Sequence, residues 1–461
     1  MKELFSILDF IIAPTYFAII LFLAHIYQVK KTKENAVYSY YKIGLALKML
    51  GALGLVIIYT QYYKGGDTVN YQRSSKVLTN MLFYKPDVFL NLFSGNLSLE
   101  NLLAFNDKTG YLTYECRADI RTFTVARNTV PFELIAFQSF LGTTLLIATF
   151  SYVGNWKLFL LFTELFPKYH KQFAYAILFV PSVLFWGSGI MKDTFTLSAA
   201  SWFTYAFYKA LIKKEKVLIN VLALLFNSWI MITIKPYIFI ALMPGTMLWL
   251  SFQYIKNIKN TFIRLMFGPT FILIIAGTGA LLMQNLSSSF GQYSNTETVL
   301  NKAVATQQDL KQAYYGGNSF DIGEFDASIS GVLGKFPVAT IAGLFRPFIW
   351  EAKNPVMLLA GLENSVLLFL TIFLIIKLGP IPFFKVIKSE PILFFSMIFG
   401  VFFAFSVGLS TSNFGALVRY KIPAVPYYLA SILVLNEHYR TLKKEAEEER
   451  EKRNDNRKLI K

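Results

Sequence analysis

The chain has 461 residues, of which 54% are hydrophobic and 17% aromatic, and only 16% are charged. This composition is too apolar for a soluble fold of this length, so it predicts a membrane protein. The net charge of +17 does not indicate a nucleic-acid partner, because the basic residues cluster beside apolar segments. The single cysteine, Cys116, and three scattered histidines offer no disulfide and no metal-binding spacing, so we expect no metal and no other cofactor.

Eleven mostly apolar stretches are long enough to cross hydrocarbon as helices. They predict an all-α fold, a polytopic transmembrane bundle of about eleven spans within a range of 10 to 13. Residues Phe336 to Trp350 are apolar but short, and both a span and a re-entrant helix fit them. The predicted spans are Leu4 to Tyr27, Ile43 to Tyr63, Val130 to Val153, Phe173 to Ile190, Thr194 to Ile212, Val217 to Ile234, Tyr237 to Tyr254, Arg264 to Asn285, Val356 to Lys377, Pro391 to Leu409 and Ile422 to Asn436.

Lysines follow every second predicted span and set the orientation, because short basic loops stay in the cytoplasm. They include Lys30, Lys31 and Lys33 after the first span and Lys213, Lys214 and Lys216 after the fifth. We therefore expect a multi-pass protein of the bacterial inner membrane, with the amino terminus outside. Residues 1–436 form one transmembrane domain in this interpretation. The densely charged tail, residues 437–461, is predicted to be a cytoplasmic helix or a disordered segment.

Two long connections, about residues 64–128 and 286–335, fall on the outer side in this topology. The first contains GGDTVNY and then SSKVLTNMLFYKPDVFLNLF, whose mixed spacing suggests helices lying on the membrane surface. In the second, NTETVLNKAVATQQDLKQAYYGG predicts a helix that is capped near Asn295 and stopped by Gly316 and Gly317. Long loops of this kind often serve as lids or binding loops.

Candidate site residues first appear at the ends of the second and fourth spans. Asp67 follows the flexible Gly65-Gly66 turn, and it is either a turn aspartate or a general base that also orients a substrate. In VPSVLFWGSGIMKDTF, the fifth span opens with Lys192 and Asp193. Asp193 suits a helix cap, whereas Lys192 beside a helix amino terminus suits a phosphate contact.

Later segments supply more charges in apolar settings. Lys235 in TIKPY is either a snorkelling lysine or a phosphate ligand. LFRPFIWEAKNPVMLLAGLEN contains Arg346 and Glu351, which either pair to remain neutral or take part in a site. Arg419 in STSNFGALVRYKIPAVPYY is well suited to phosphate, because a guanidinium binds it bidentately. The neighbouring residues with supporting roles are Asp193, Trp350, Asn413 and Tyr420.

The predicted topology sends all of these charges to the outer side of the membrane. An outer cavity with several cations and a few carboxylates suits a phosphate- or pyrophosphate-linked substrate whose lipid tail lies among the helices. The charges concerned are Asp67, Lys192, Asp193, Lys235, Arg346, Glu351 and Arg419.

Four stretches carry a resemblance to a known class: GGDTVNY, PSVLFWGSGIMKD, RPFIWE followed by a span containing LEN, and NFGALVRYKIP. The chain resembles bacterial O-antigen polymerases and EpsG-type exopolysaccharide polymerases, which are broadly related in architecture to the GT-C membrane glycosyltransferases. The resemblance implies transfer of a glycan from a polyprenyl-phosphate or polyprenyl-pyrophosphate donor outside the cytoplasm. Many GT-C enzymes carry an acidic pair in the first outer loop, whereas this loop has one clear aspartate in GGDT, which favours a polymerase over a dolichyl-phosphate-sugar type of transferase.

In the implied reaction, Arg346, Arg419 and Lys192 would neutralise charge on the departing lipid phosphate. Asp67 or Glu351 would take the proton of the acceptor hydroxyl. The implied partners are the lipid bilayer and a polyprenyl-linked saccharide, with other polysaccharide-assembly proteins left open and no nucleic acid. Two other functions fit the same charges: a transporter or flippase for a lipid-linked saccharide, and a non-catalytic membrane assembly subunit.

Overall fold

A computed structural model describes residues 4–255, 296–312 and 318–459 of the chain. Within those ranges the chain is helical, and an isolated β-bridge joins Ser319 to Asn413. The all-α class predicted from the sequence is therefore confirmed. The predicted span from Arg264 to Asn285 lies outside the described residues, as do Asn295, Gly316 and Gly317.

The first part of the chain folds into thirteen helices over residues 7–255. Short π-helical segments extend some of these helices, for example Ile58–Tyr62 after α2 and Tyr208–Ile212 after α11. The helices are α1 Ile7–Thr32, α2 Tyr41–Ile57, α3 Asp67–Tyr84, α4 Pro86–Ser94, α5 Leu99–Leu103, α6 Tyr114–Ala118, α7 Ile120–Ile135, α8 Phe140–Leu165, α9 His170–Phe173, α10 Pro181–Trp186, α11 Lys192–Phe207, α12 Val217–Ile234 and α13 Pro236–Ile255.

Eight more helices follow in the described part of the chain. They are α14 Thr296–Leu310, α15 Ile329–Gly334, α16 Phe336–Phe345, α17 Pro355–Leu378, α18 Pro380–Ser389, α19 Pro391–Ser410, α20 Phe414–Tyr420 and α21 Val425–Leu459. The last helix runs without a break from the bundle through the charged tail, so the described part of that tail is helical.

Six helices of the described residues are long and apolar enough to cross a membrane. They correspond to α1, α2 with its flanking turns (Ala36–Tyr62), α8, α12, α17 and α19. These helices indicate a membrane protein, as the composition predicted. The larger count of about eleven spans stays a prediction, because the other apolar segments are shorter, more polar or interrupted.

The bounds of the predicted third span, Val130 to Val153, are wrong, because a turn divides this stretch into two helices and the span-length helix is α8, Phe140–Leu165. Helix α7 ends at Ile135, and Phe137 and Gln138 then adopt left-handed backbone angles with φ of 51° and 59°. The side chain of Ser139 caps the next helix by accepting the Gly142 N–H at 3.0 Å. Hydropathy alone cannot detect this turn, since apolar residues continue on both sides of it.

The predicted fourth span, Phe173 to Ile190, is also interrupted. Pro181 begins the short helix α10, and a non-helical stretch from Gly187 to Met191 follows before α11 starts. Two charged side chains, the half-buried Glu363 and the buried Lys48, hold the ends of α10. Glu363 of α17 accepts the Ser182 N–H at 2.9 Å, and Lys48 of α2 donates to the Gly187 carbonyl. The interruption places the first residues of α11 inside the protein.

The short apolar helix α16 packs closely along α19. A Cβ atom added to Gly343 would overlap the carbonyl oxygen of Ala404, and one added to Gly408 would overlap that of Ala339. Small residues therefore let the two backbones touch, as in many membrane helix pairs. With only ten residues, α16 is about 15 Å long, half the thickness of the hydrocarbon layer. This close packing positions Arg346, which follows α16 directly.

Candidate functional site

A buried aspartate, Asp193, lies at the centre of the candidate site. It is the second residue of α11, and its side chain is fully buried. Lys235 pairs with one carboxylate oxygen, and the Arg419 Nε donates to the other at 2.6 Å. A buried carboxylate without a partner is strongly destabilising, so two cations from distant segments are held against it. Lys235 occupies the single-residue break between α12 and α13, where Pro236 prevents a continuous helix.

Arg419 also reaches a second carboxylate nearer the surface. Its Nη1 lies 2.6 Å from Oδ2 of Asp67, whose side chain is 43% exposed, whereas the side chain of Arg419 is 12% exposed. Gly66 has a φ of 106°, and an added Cβ would lie 2.9 Å from the ring of Tyr59, so a glycine is required before Asp67. The four residues from Lys235 through Asp193 and Arg419 to Asp67 thus connect the interior with the accessible surface.

A parallel ion pair stands beside this chain of charges. The Lys192 Nζ lies 2.8 Å from Oδ2 of Asp119, whose side chain is 45% exposed. Asp119 caps α7 by accepting the backbone N–H groups of Arg121 and Thr122 at 3.1 and 3.2 Å. Partial burial would raise the pKa of Asp119, but the Lys192 ammonium and the hydrogen bonds outweigh it and lower that pKa to about 2.

We call these six residues the charge network: Asp67, Asp119, Lys192, Asp193, Lys235 and Arg419. Its three carboxylates and three cations give no formal net charge. Both outer carboxylates are partly exposed, and the carboxylate between Lys235 and Arg419 is not. The network therefore has a fixed interior and a more accessible edge.

Asp119 belongs to the charge network but was not predicted from the sequence. Its position before Ile120 at the start of α7 indicates only a helix cap, and its partner Lys192 is 73 residues away in the chain. Tyr59, which packs against the turn before Asp67, was not predicted either. Only the packing of α3 and α7 against the bundle brings these residues to the site.

Arg346 and Glu351 form a separate bidentate pair. The Arg346 Nε lies 3.0 and 3.2 Å from the two carboxylate oxygens, and one of them also accepts the Phe348 N–H at 2.8 Å. The guanidinium lies 4.6 Å from the ring centre of Phe320 and 5.3 Å from that of Phe414. Hydrogen bonds in the described part of the chain do not connect this pair to the charge network.

The Arg346 pair nevertheless lies close to the network, because Phe414 and Arg419 share helix α20. They are five positions apart, which corresponds to about 7.5 Å of helix rise. The two rings of Phe320 and Phe414 stack at 5.0 Å, and Phe320 N–H donates to the Ser412 carbonyl at 2.8 Å. Arg346 thus clamps the segment around residues 318–320 onto the start of α20.

The supporting residues predicted from the sequence have structural contacts. Asn413 caps α20 by accepting the Gly415 and Ala416 N–H groups at 2.9 and 3.2 Å. The ring centre of Tyr420 lies 4.6 Å from the Lys235 Nζ. Trp350 is exposed and stacks on Phe348 with ring centres 4.8 Å apart.

A buried lysine next to Tyr420, Lys421, ties the site to its neighbours. Its Nζ donates to the carbonyls of Leu344 and Arg346 at 3.0 and 3.2 Å, and to Oδ1 of Asn364 at 2.7 Å. Helix α20 is therefore held against α16 and α17. Arg419, near the end of α20, therefore points to the charge network, whereas Lys421, two residues later in the following turn, points away from it.

The fold and the site together define a helical membrane protein with an ion-paired charge network where several of its helices begin or end. In comparisons by sequence and by structure, no family model, no curated protein and no solved structure matches the chain.

Proposed function

We propose that the protein is a membrane glycosyltransferase of the polysaccharide-polymerase type. It acts on polyprenyl-phosphate- or polyprenyl-pyrophosphate-linked glycans at the outer face of the bacterial inner membrane, in cell-surface polysaccharide biosynthesis. The observation that carries the proposal is the position of Arg419 between buried Asp193 and accessible Asp67. One carboxylate fixes the orientation of this arginine, and the other occupies its accessible side. An arginine held in this way can bind an anion in place of the accessible carboxylate.

Binding of a lipid-linked phosphate begins with an exchange of partners. Asp67 and Asp119 occupy Arg419 and Lys192 in the protein alone, and both carboxylates are partly exposed. A phosphate carries more negative charge than a carboxylate and takes their place on the two cations. Asp193 remains in position because it is fully buried, so Arg419 and Lys235 keep their orientation. The lipid tail extends along the apolar helices.

Release from Arg419 frees Asp67 to act as the general base. It accepts the proton of the acceptor hydroxyl while the hydroxyl oxygen forms a bond to the anomeric carbon of the donor sugar. The bond from that carbon to the phosphate oxygen breaks, and its electron pair leaves with the phosphate. Arg419 and Lys192 neutralise the charge that develops on the leaving group.

Glu351 is less suitable for the role of the base. Both of its carboxylate oxygens accept hydrogen bonds from Arg346, and one also accepts from a backbone N–H. We assign Arg346 and Glu351 to positioning the segment around residues 318–320 beside the site. This assignment leaves Asp67 as the carboxylate with access to an acceptor.

The test is complementation of a strain in which the gene has been deleted. We expect Asp67→Asn and Arg419→Ala to remove long polysaccharide chains at normal protein levels, whereas the wild type restores them. Asp87→Asn and Arg73→Ala are matched controls, because both residues are exposed on α4 and α3 outside the charge network. If both site variants leave chain length and yield unchanged, the protein is not a polymerase of this mechanism.

One observation favours a transporter or flippase as the second candidate. Helix α10 is discontinuous with its neighbours, and interrupted helices next to charged residues are common in transporters. Single cysteines at positions 192 and 346, in a Cys116→Ser background, distinguish the two functions. Labelling of both positions from the outer side alone supports the enzyme. Labelling from either side of the membrane supports the transporter.

A further inference from the structure

A run of exposed apolar side chains covers residues 83–114, which we call the surface arm. It joins the end of α3 to the start of α6 and contains the short helices α4 and α5. Apolar side chains on the arm are unusually exposed, with Leu90 at 65% and Leu103 at 74%. Dense exposure of this kind marks an interaction surface. The exposed residues are Phe83, Tyr84, Leu90, Phe93, Leu99, Leu103, Tyr111 and Tyr114.

Helix α4 has distinct faces that show how the arm is oriented. Phe89 and Leu92 are buried against the protein. Leu90 and Phe93 lie together on one flank and are exposed, while Asn91 is exposed on the polar side. Neighbouring residues are about 100° apart around a helix, so the apolar flank and the polar side are different surfaces. The surface arm therefore carries exposed apolar side chains in addition to those that pack against the protein.

The place of the arm in the chain holds it at one surface of the bilayer. It lies between α2 and α8, two helices that are long and apolar enough to span. The exposed apolar surface of α1 reaches the turn after α7, because the Tyr16 hydroxyl donates to the Ile135 carbonyl at 2.6 Å. Ile135 and Phe137 are themselves exposed. Gln138, next to Phe137, donates to the Asn80 side chain of α3 at 3.0 Å, and Asn80 donates to the Thr109 carbonyl of the surface arm at 3.3 Å. The exposed apolar residues of this turn therefore lie beside the arm.

The charge of the surface arm indicates which part of the membrane it contacts. Its two lysines and three acidic residues nearly cancel, so attraction to anionic lipid is not the main force. Lys85 and Lys108 have their ammonium groups 5.8 and 5.6 Å from the ring centre of Tyr84. Tyrosine together with lysine is typical of the boundary between headgroups and acyl chains.

We propose that the surface arm is embedded in the membrane interface. The flank formed by Leu90, Phe93, Leu99 and Leu103 inserts among the lipids on the side of the membrane where α2 ends. Helix α3 connects the arm directly to Asp67, its first residue. The arm therefore sets the depth of the charge network relative to the lipid headgroups, and it does so whatever reaction the network carries.

Fluorescence quenching measures the depth of the arm. A bimane label is attached to single cysteines at positions 90 and 103 in a Cys116→Ser background, with the full chain in phosphatidylcholine nanodiscs. We expect spin-labelled lipids to quench both positions several-fold more than iodide does. Positions 91 and 100 are matched controls on the polar surface of the same helices, and we expect iodide to quench them more strongly. A cysteine at position 93 provides a second reporter of the flank.

Three outcomes overturn the proposal. Equal iodide quenching at positions 90, 91 and 103 means that the flank faces water. Protection of the flank from both quenchers means that another protein covers it. Quenching by lipid that appears only in phosphatidylglycerol nanodiscs means that charge drives the contact. None of these readings depends on polymer synthesis, so the proposed function and the embedded arm can fail separately.

Discussion

Arg419 binds two carboxylates that differ in their freedom to leave. Asp193 is fully buried, so release of its carboxylate would leave a charge in the interior. Asp67 is partly exposed, and water can replace Arg419 as its partner. The difference in burial, rather than the number of ion pairs, identifies Asp67 as the partner that an incoming anion displaces.

Removal of this competing carboxylate gives a first prediction at the residue scale. We expect Asp67→Asn to bind inorganic pyrophosphate about three- to tenfold more tightly than the wild type, a change of about 1 kcal/mol. Titration calorimetry of the protein in nanodiscs measures the affinity. Asp87→Asn, which changes an exposed aspartate outside the network, should have the wild-type affinity. Unchanged or weaker binding by Asp67→Asn would contradict the exchange of partners.

A second buried acid, Glu133, makes the stability of the folded protein depend on pH. Glu133 is fully buried near the end of α7, outside the six span-length helices, and its carboxyl group accepts a hydrogen bond from the Ser75 hydroxyl at 2.9 Å. Burial raises the pKa of Glu133 to about 8. The folded protein therefore holds this proton between about pH 4.5 and 8, where the unfolded chain has lost it, so this residue's contribution to stability falls as pH rises through that window.

Glu133→Gln keeps the shape of the neutral acid and removes its titration. We expect the melting temperature of the variant, relative to that of the wild type, to rise between about pH 5 and 8 and then to level off. Scanning fluorimetry over that range provides the measurement. Asp107→Asn is the control, because Asp107 is exposed on the surface arm. A difference between Glu133→Gln and the wild type that does not change with pH would mean that Glu133 does not hold the proton.

At the scale of helices, the sequence predicted long elements better than turns. The predicted spans Val217 to Ile234 and Pro391 to Leu409 closely match α12 and α19, because their apolar residues continue over the whole length. The turn at Phe137 and Gln138 was not predicted, since the cap at Ser139 depends on local hydrogen bonds. Contacts between distant helices, such as Lys192 with Asp119, have no signal in a single sequence.

The close packing of α16 against α19 predicts that a larger residue at Gly343 destabilises the protein. We expect Gly343→Ala to lower stability by about 1–3 kcal/mol, because the added methyl group overlaps the backbone of Ala404. Gly54→Ala is the matched control, since a Cβ at Gly54 has no neighbour within 4 Å. The melting temperatures of both variants in detergent are compared with the wild type. Equal values for the two variants would contradict close contact between α16 and α19.

At the scale of the whole molecule, the helices that lead to and from the charge network predict its side of the membrane relative to the charged tail. Helix α2 leads towards Asp67 through the turn that follows it, and α1 precedes α2 as the neighbouring span. Helix α21 begins soon after Arg419 and carries the chain away to Leu459. The charge network is therefore expected on the side opposite the charged tail. The sequence predicted the same relation from the lysines in alternate loops.

The side of the membrane on which the reaction takes place can therefore be tested with reporters fused after Lys461. A cytoplasmic tail predicts that a fused green fluorescent protein is fluorescent and that a fused alkaline phosphatase is inactive, because the phosphatase needs an oxidising compartment for its disulfides. Lys213, Lys214 and Lys216 lie between α11 and α12, at the ends of these helices away from Lys192 and Lys235, and should be on the same side as the tail. An active phosphatase fusion would place the charge network in the cytoplasm. The proposed transfer at the outer face would then be wrong, even if Arg419 binds phosphate.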